Sequence, residues 1–255
     1  MTALRLSALP AFADNYIWML ADAAGDAVVV DPGEAAPVRV ALARDGLRLR
    51  AILLTHHHAD HIGGAAALAA ESGATIVAAI DARIAADRRV GDGDRVEFDA
   101  PALAFDVIEI PGHTSSHIAF HGHGLLFCGD TLFSVGCGRL FEGTPAQMLA
   151  SLDRLAALPA DTRVCCGHEY TLANCAFART LEPHNAALAS RATQAAAQRA
   201  RGEPTLPSTL ADELACNPFL RVDEPVLVAA LGDGSRVARF ADLRRRKDDF
   251  RMPAA

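Results

Sequence analysis

The chain has no apolar run close to the about 20 residues that a membrane-crossing helix requires, although 51% of its residues are apolar. A soluble protein is therefore expected. None of its six cysteines (Cys128, Cys137, Cys165, Cys166, Cys175 and Cys216) forms a C-x-x-C pair. Most sit in apolar surroundings, where cysteine behaves as a small hydrophobe. No export signal is expected either. Residues 1–13 contain an apolar stretch and Ala11-Phe12-Ala13 mimics a cleavage site, but Pro10 interrupts the run and Arg5 is the only early positive charge. A first β-strand is expected there, with reduced thiols in a cytoplasmic setting. The net charge of -7 argues against general affinity for nucleic acid. Lys247 is the only lysine, a bias that fits genome composition better than function. There is no internal repeat.

What is present is enough chain for one large domain, or one domain plus a small one, at 255 residues. Up to about residue 170 the pattern is mixed. Strands are expected over 16–21 and 27–30 around a Gly25-Asp26 turn, then over 49–54, 75–78, 95–98, 103–110, 118–121, 125–128 and 163–166. Helices are expected over 37–44, closed by Gly46, over 64–71, closed by Gly73, and over 146–157. Beyond His168 the pattern turns wholly helical: 172–181, 186–201, 209–216, 225–231 and 236–250, separated by Gly202, Pro204, Pro207, Pro218 and Gly232. Two domains are expected, 1–172 and a helical 173–255.

The chemistry concentrates in Leu53-Leu54-Thr55-His56-His57-His58-Ala59-Asp60-His61-Ile62-Gly63-Gly64. A strand ends in four histidines and an aspartate, and imidazole and carboxylate are the ligands borderline divalent metals prefer. If strand geometry persists, His56 and His58 share a face and His57 points away. Further ligands follow at His113 in Pro111-Gly112-His113, Asp130 in Cys128-Gly129-Asp130 and His168 in Cys166-Gly167-His168. Each follows an apolar strand and a glycine that lets the backbone turn sharply. Seven ligands (His56, His58, Asp60, His61, His113, Asp130 and His168) exceed one tetrahedral ion, so two divalent metals are expected. Zinc is the expected metal, but the donor set suits iron or manganese as well. His57, His117, His121, His123 and His184 match no ligand position, though His117 is placed to orient one.

These motifs in this order resemble the metallo-β-lactamase superfamily, which implies an α/β fold, an αββα sandwich, followed here by a small all-helical domain. The family pattern implies His56, His58 and His113 on one metal, Asp60, His61 and His168 on the other, and Asp130 bridging. Where the family usually has glycine, Ser116 stands. Within the superfamily the chain is similar to glyoxalase II, the hydroxyacylglutathione hydrolases. The likeness is carried by Ala13-Asp14-Asn15-Tyr16, by Gly136-Cys137-Gly138-Arg139-Leu140-Phe141-Glu142-Gly143-Thr144, by Gly167-His168-Glu169-Tyr170-Thr171, by Asn217-Pro218-Phe219-Leu220-Arg221 and by the run from Arg244 to Phe250.

That resemblance implies hydrolysis of S-D-lactoylglutathione to D-lactate and glutathione, the second step of methylglyoxal detoxification, by a monomer that needs neither nucleic acid nor membrane. It implies glutathione contacts from Arg139, Tyr170, Arg244 and Lys247. Lysine often stands at position 139 and tyrosine at 141; Phe141 lacks the hydroxyl, whereas Arg139 keeps the charge. Two ions lower the pKa of the attacking water and polarise the carbonyl, and a thiolate leaves without a dedicated acid. Asp60 and Asp130 thus serve catalysis as ligands rather than as proton donors. The alternatives are a mononuclear iron persulfide dioxygenase of the same fold, a metal-dependent nuclease, which the acidic charge disfavours, and a non-catalytic zinc protein.

Overall fold

The computed structural model describes residues 4–252. The chain forms two compact units, one of residues up to 109 together with 116–129, the other of residues 110–115 together with those from 130 onward.

The first unit begins with an antiparallel meander, β1 (Arg5–Ala11), β2 (Asn15–Ala21) and β3 (Asp26–Val30). Helix α1 (Ala35–Asp45) then carries the chain back to β4 (Arg48–Leu54), which lies parallel to β3. Two helices, α2 (Ala59–Ile62) and α3 (Ala65–Ser72), lead to β5 (Thr75–Ala79) and on to β6 (Arg88–Val90), again in parallel. The strand order is β1-β2-β3-β4-β5-β6. Strands β2 and β3 are buried along their whole length, as unbroken apolar runs must be when both sheet faces are covered. Left-handed Gly46 and Gly73 terminate α1 and α3.

The same unit contains β7 (Arg95–Asp99), β8 (Ala102–Glu109), β9 (Ile118–Gly122) and β10 (Leu125–Gly129), paired antiparallel in succession. On β8, Leu103, Phe105 and Val107 alternate inward, the period-two signature of a strand covered on one face. His123 and Gly124, both at positive φ, turn β9 into β10.

The second unit opens with a two-residue hairpin of β11 (Leu132–Phe133) and β12 (Gly136–Cys137). Helix α4 (Pro145–Ala156) follows, started by a Thr144/Gln147 capping box. Next come β13 (Arg163–Cys166) and α5 (Thr171–Ala178), then α6 (Ala186–Ala200) and β14 (Ser208–Thr209), which pairs with β13. The chain closes with α7 (Leu210–Cys216), α8 (Pro225–Leu231) and α9 (Arg236–Asp249). The helices expected from 172 onward are all present, within a few residues of their expected ends. Strands β6, β11, β12 and β14 and the one-turn helix α2 were not expected; each is three or four residues long or shorter, too brief for a periodic pattern.

Candidate metal centre

In the first unit the candidate ligands stand where parallel strands β3 and β4 end side by side. Asp31, just past β3, adopts φ 51, in the left-handed region, and is buried. Its carboxylate accepts the Thr55 backbone N–H at 2.8 Å and the Thr55 hydroxyl at 2.7 Å. It also lies 3.1 Å from His61 Nδ1, so that nitrogen carries the proton and Nε2 is left as the donor to a metal. Because the Thr55 hydroxyl gives its hydrogen to Asp31, its oxygen accepts from His56 Nδ1 at 3.0 Å. That leaves His56 Nε2 facing His58 Nδ1 at 3.2 Å. Nitrogens about 2.0–2.1 Å from one tetrahedral ion stand about 3.3 Å apart, so this spacing fits a shared metal.

Asp60 is held from two sides. The Asn15 amide donates to its Oδ2 at 2.9 Å. Behind it, a Cβ at Gly33 would come within 1.9 Å of the Asp60 carbonyl oxygen, so only glycine fits there. Asp60 Oδ2 lies 3.5 Å from His61 Nε2. His57 turns to Asp81, 3.6 Å away, whose carboxyl is held well below its ordinary range chiefly by Arg83. His117 stacks on His56 with ring centroids 4.5 Å apart and directs Nδ1 at the Ile118 carbonyl. It thus packs against a candidate ligand. His123 accepts the Ala104 N–H on the surface.

In the second unit His113, Asp130 and His168 meet, all buried. His113 Nδ1 donates to the Arg139 carbonyl at 2.9 Å, which directs Nε2 to Asp130 Oδ2, 3.5 Å away. His168 Nε2 reaches the same oxygen at 3.2 Å. Gly138 is the floor of this cradle: a Cβ on it would stand 1.9 Å from the Asp130 carbonyl oxygen and 3.2 Å from His113 Nδ1. Tyr170 stacks parallel on His168 at 4.8 Å, and Phe141, exposed, meets His113 edge-on.

Arg139, Arg244 and Lys247 come together in this unit. Arg139 Nε and Arg244 Nη2 lie 3.5 and 3.0 Å from the same Asp248 oxygen, Oδ1. Arg244 is only 5% exposed; it donates to the Cys137 carbonyl at 2.6 Å and lies over the Phe219 ring. Lys247 rests 5.7 Å from the centroids of both Phe177 and Phe250. Burial first, then Arg244 and Arg139, push its pKa down to about 8. Arg245 and Arg246 instead pair with Asp242. All six cysteines are buried, and burial raises Cys137 and Cys175 to about 11, which keeps them as thiols rather than nucleophiles.

The metallo-beta-lactamase superfamily pattern matches residues 13–168, and the hydroxyacylglutathione hydrolase C-terminus pattern matches residues 169–250. The hydroxyacylglutathione hydrolase of Stenotrophomonas maltophilia is 55% identical, over 97% of this chain and 100% of that one. The chain belongs to the hydroxyacylglutathione hydrolases. Among solved structures, ETHE1 from Myxococcus xanthus superposes with a TM-score of 0.64 at 26% identity, covering 93% of this chain and 99% of that one. TTHA1623 in a di-iron-bound form gives a TM-score of 0.53 at 30% identity, covering 64% and 91%. The architecture is the metallo-β-lactamase αββα sandwich followed by a helical C-terminal domain.

Three residues support this candidate site without a sequence signal that gives their role. Asp31 follows Val28-Val29-Val30 and precedes Pro32-Gly33, the same strand-then-turn setting that marks Asp130, and that likeness was its available signal. Asn15 belongs to the Ala13-Asp14-Asn15-Tyr16 motif, and its contact with Asp60, 45 positions away, exists only in the fold. Asp248 was part of the motif from Arg244 to Phe250, with no role attached.

Proposed function

We propose that this hydroxyacylglutathione hydrolase binds two divalent ions, one on His56, His58 and His113 and one on Asp60, His61 and His168, bridged by Asp130. Its proposed reaction is hydrolysis of S-D-lactoylglutathione to D-lactate and glutathione, the second step of methylglyoxal detoxification. The observation that carries the reading is the sharing of Asp130 Oδ2 by two imidazole nitrogens, at 3.5 and 3.2 Å. The His56–His58 spacing and the glycine cradles at Gly33 and Gly138 support the fit of the donor set. The di-iron form of TTHA1623 supports two ions as well, while zinc is the proposed metal. Such ions, when bound, make a water nucleophilic at neutral pH and polarise the thioester carbonyl.

The protein's own residues do the rest. Asp31, Thr55, Asn15 and the Arg139 carbonyl hold the ligands at set tautomers and angles. Arg139, Arg244 and Lys247 supply the positive charge that glutathione's carboxylates need, and Tyr170, flat on His168, offers a face and a hydroxyl to the peptide. The water oxygen adds to the thioester carbonyl carbon, the C–S bond then breaks and sulfur leaves as thiolate, and the water's protons pass to solvent and to the departing thiolate; Asp60 and Asp130 transfer no proton. Residues 1–172 form the catalytic domain and 173–255 the helical substrate domain in this reading, working as a cytoplasmic monomer. No helix among the described residues is long and apolar enough to cross a membrane.

The persulfide dioxygenase alternative gives no use to His168 or to the helical segment over 169–250. A thioester hydrolysis assay on metal-defined protein, run beside oxygen uptake with glutathione persulfide, separates the two. Oxygen uptake without thioester turnover would overturn the hydrolase reading.

A further inference from the structure

Two guanidinium groups, those of Arg139 and Arg244, converge on a single carboxylate, that of Asp248, while neighbouring Lys247 rests over Phe177 and Phe250. Both guanidinium groups meet the same oxygen of it, Oδ1. Arg244 does not need that contact to stay in place. Its Nη1 donates to the Cys137 carbonyl, its plane lies over Phe219, and it is buried. The side chains of Asp248 and Arg139 are 40% and 64% exposed, so the pairing sits at the solvent side of the cluster, where an incoming anion arrives.

We infer that Asp248 is a built-in competitor for the carboxylate-binding cluster: it occupies the guanidinium edges that the substrate's carboxylate must take, and so sets how tightly glutathione compounds are held. The inference rests on the proposed assignment of Arg139, Arg244 and Lys247 to glutathione. Hydrolysis leaves both carboxylates of glutathione on the departing thiol, so a cluster that gripped them without competition would hold product as firmly as substrate. A tethered carboxylate that re-forms its ion pairs as the ligand leaves lowers the cost of release. Its effect is modest, because partly exposed ion pairs are screened by water.

The test compares Asp248→Asn with Asp249→Asn. Both remove one negative charge, but the Asp249 side chain is 75% exposed and lies 3.9 Å from Arg245, outside the cluster of Arg139 and Arg244. On metal-loaded enzyme, calorimetric titration with glutathione should show binding tightened roughly two- to fivefold in Asp248→Asn and unchanged in Asp249→Asn. KM for the thioester should fall in step. Asp248→Ala, which also removes the hydrogen-bonding capacity, should act in the same direction. Binding unchanged or weakened in both Asp248 variants overturns the inference, since Asp248 then supports the cluster instead of competing for it. If Arg244→Ala and Lys247→Ala also leave KM untouched, the carboxylate assignment has failed and the inference with it. If those two raise KM while the Asp248 variants do not lower it, only the inference fails.

Discussion

His113 and Arg139 are joined by a 2.9 Å hydrogen bond from the imidazole Nδ1 to the arginine's backbone carbonyl. The residue that aims a metal ligand with its main chain therefore carries, on its side chain, one of the cations assigned to substrate. Any shift of the 138–140 segment moves both. Gly138 tightens the link, because its missing side chain is what lets this segment lie against Asp130 and His113.

Fully loaded enzyme should contain two metal ions per chain by elemental analysis. His168→Ala should retain one and lose most thioesterase activity, with an unchanged circular dichroism spectrum. A single ion in fully active wild-type protein would sink the binuclear reading.

Asp31→Ala should weaken metal affinity and activity by about 10- to 100-fold, the usual cost of removing the group that orients a ligating histidine. His61 would lose the acceptor that sets its tautomer, and Thr55 would lose both its partners on that carboxylate. Competition with a chromophoric chelator measures the affinity. An unaltered metal constant would show that Asp31 serves only the fold.

Lys247→Ala should raise KM by roughly 10- to 150-fold, from about 1.5–3 kcal/mol per charge-assisted hydrogen bond, with kcat preserved if the contact is equal in ground and transition states. Arg244→Ala should do the same and, because Arg244 is buried against Cys137 and Phe219, should also lower Tm. Arg245→Ala, whose side chain pairs with Asp242, is the neutral control. Equal damage from all three would mean that the effect is one of general charge.

Lys247 also predicts a pH dependence. Its pKa of about 8 lies below the ordinary lysine value of 10.5, so in the folded enzyme it loses its charge near pH 8. Thioester kcat/KM should therefore fall as pH rises through that value, while Lys247→Arg should hold its activity to higher pH. Stability runs the other way. Between about 8 and 10.5 the unfolded chain binds the extra proton, so this group's contribution to stability rises with pH across that window. A flat kcat/KM profile from pH 7 to 9.5 would remove Lys247 from the substrate grip.

The regular elements were legible because each carries its own periodicity. The helix expected over 37–44 is found at Ala35–Asp45, and the strand expected over 49–54 at Arg48–Leu54. Gly46 and Gly73 end their helices in the left-handed conformation that glycine adopts at no steric cost. The split between a mixed α/β region and a helical one was equally plain, since hydrophobic spacing changes from two residues to between three and four after His168.

What the sequence by itself determined was the donor chemistry: four strand ends, each releasing histidine or aspartate at a turn. Residue type and spacing decide this, because alternation along a strand and the freedom of glycine are local properties. Which of those donors are braced, and by what, was decided only by the tertiary structure. Asp31 and His61 are 30 positions apart, Asn15 and Asp60 are 45, and Arg244 and Cys137 are 107. No local pattern encodes such pairs; they exist because parallel β3 and β4 end side by side and because α9 packs its buried arginine over Phe219. Asp248 shows the same division: its charge was written in the chain, but that two guanidinium groups would meet on one of its oxygens was settled by packing alone.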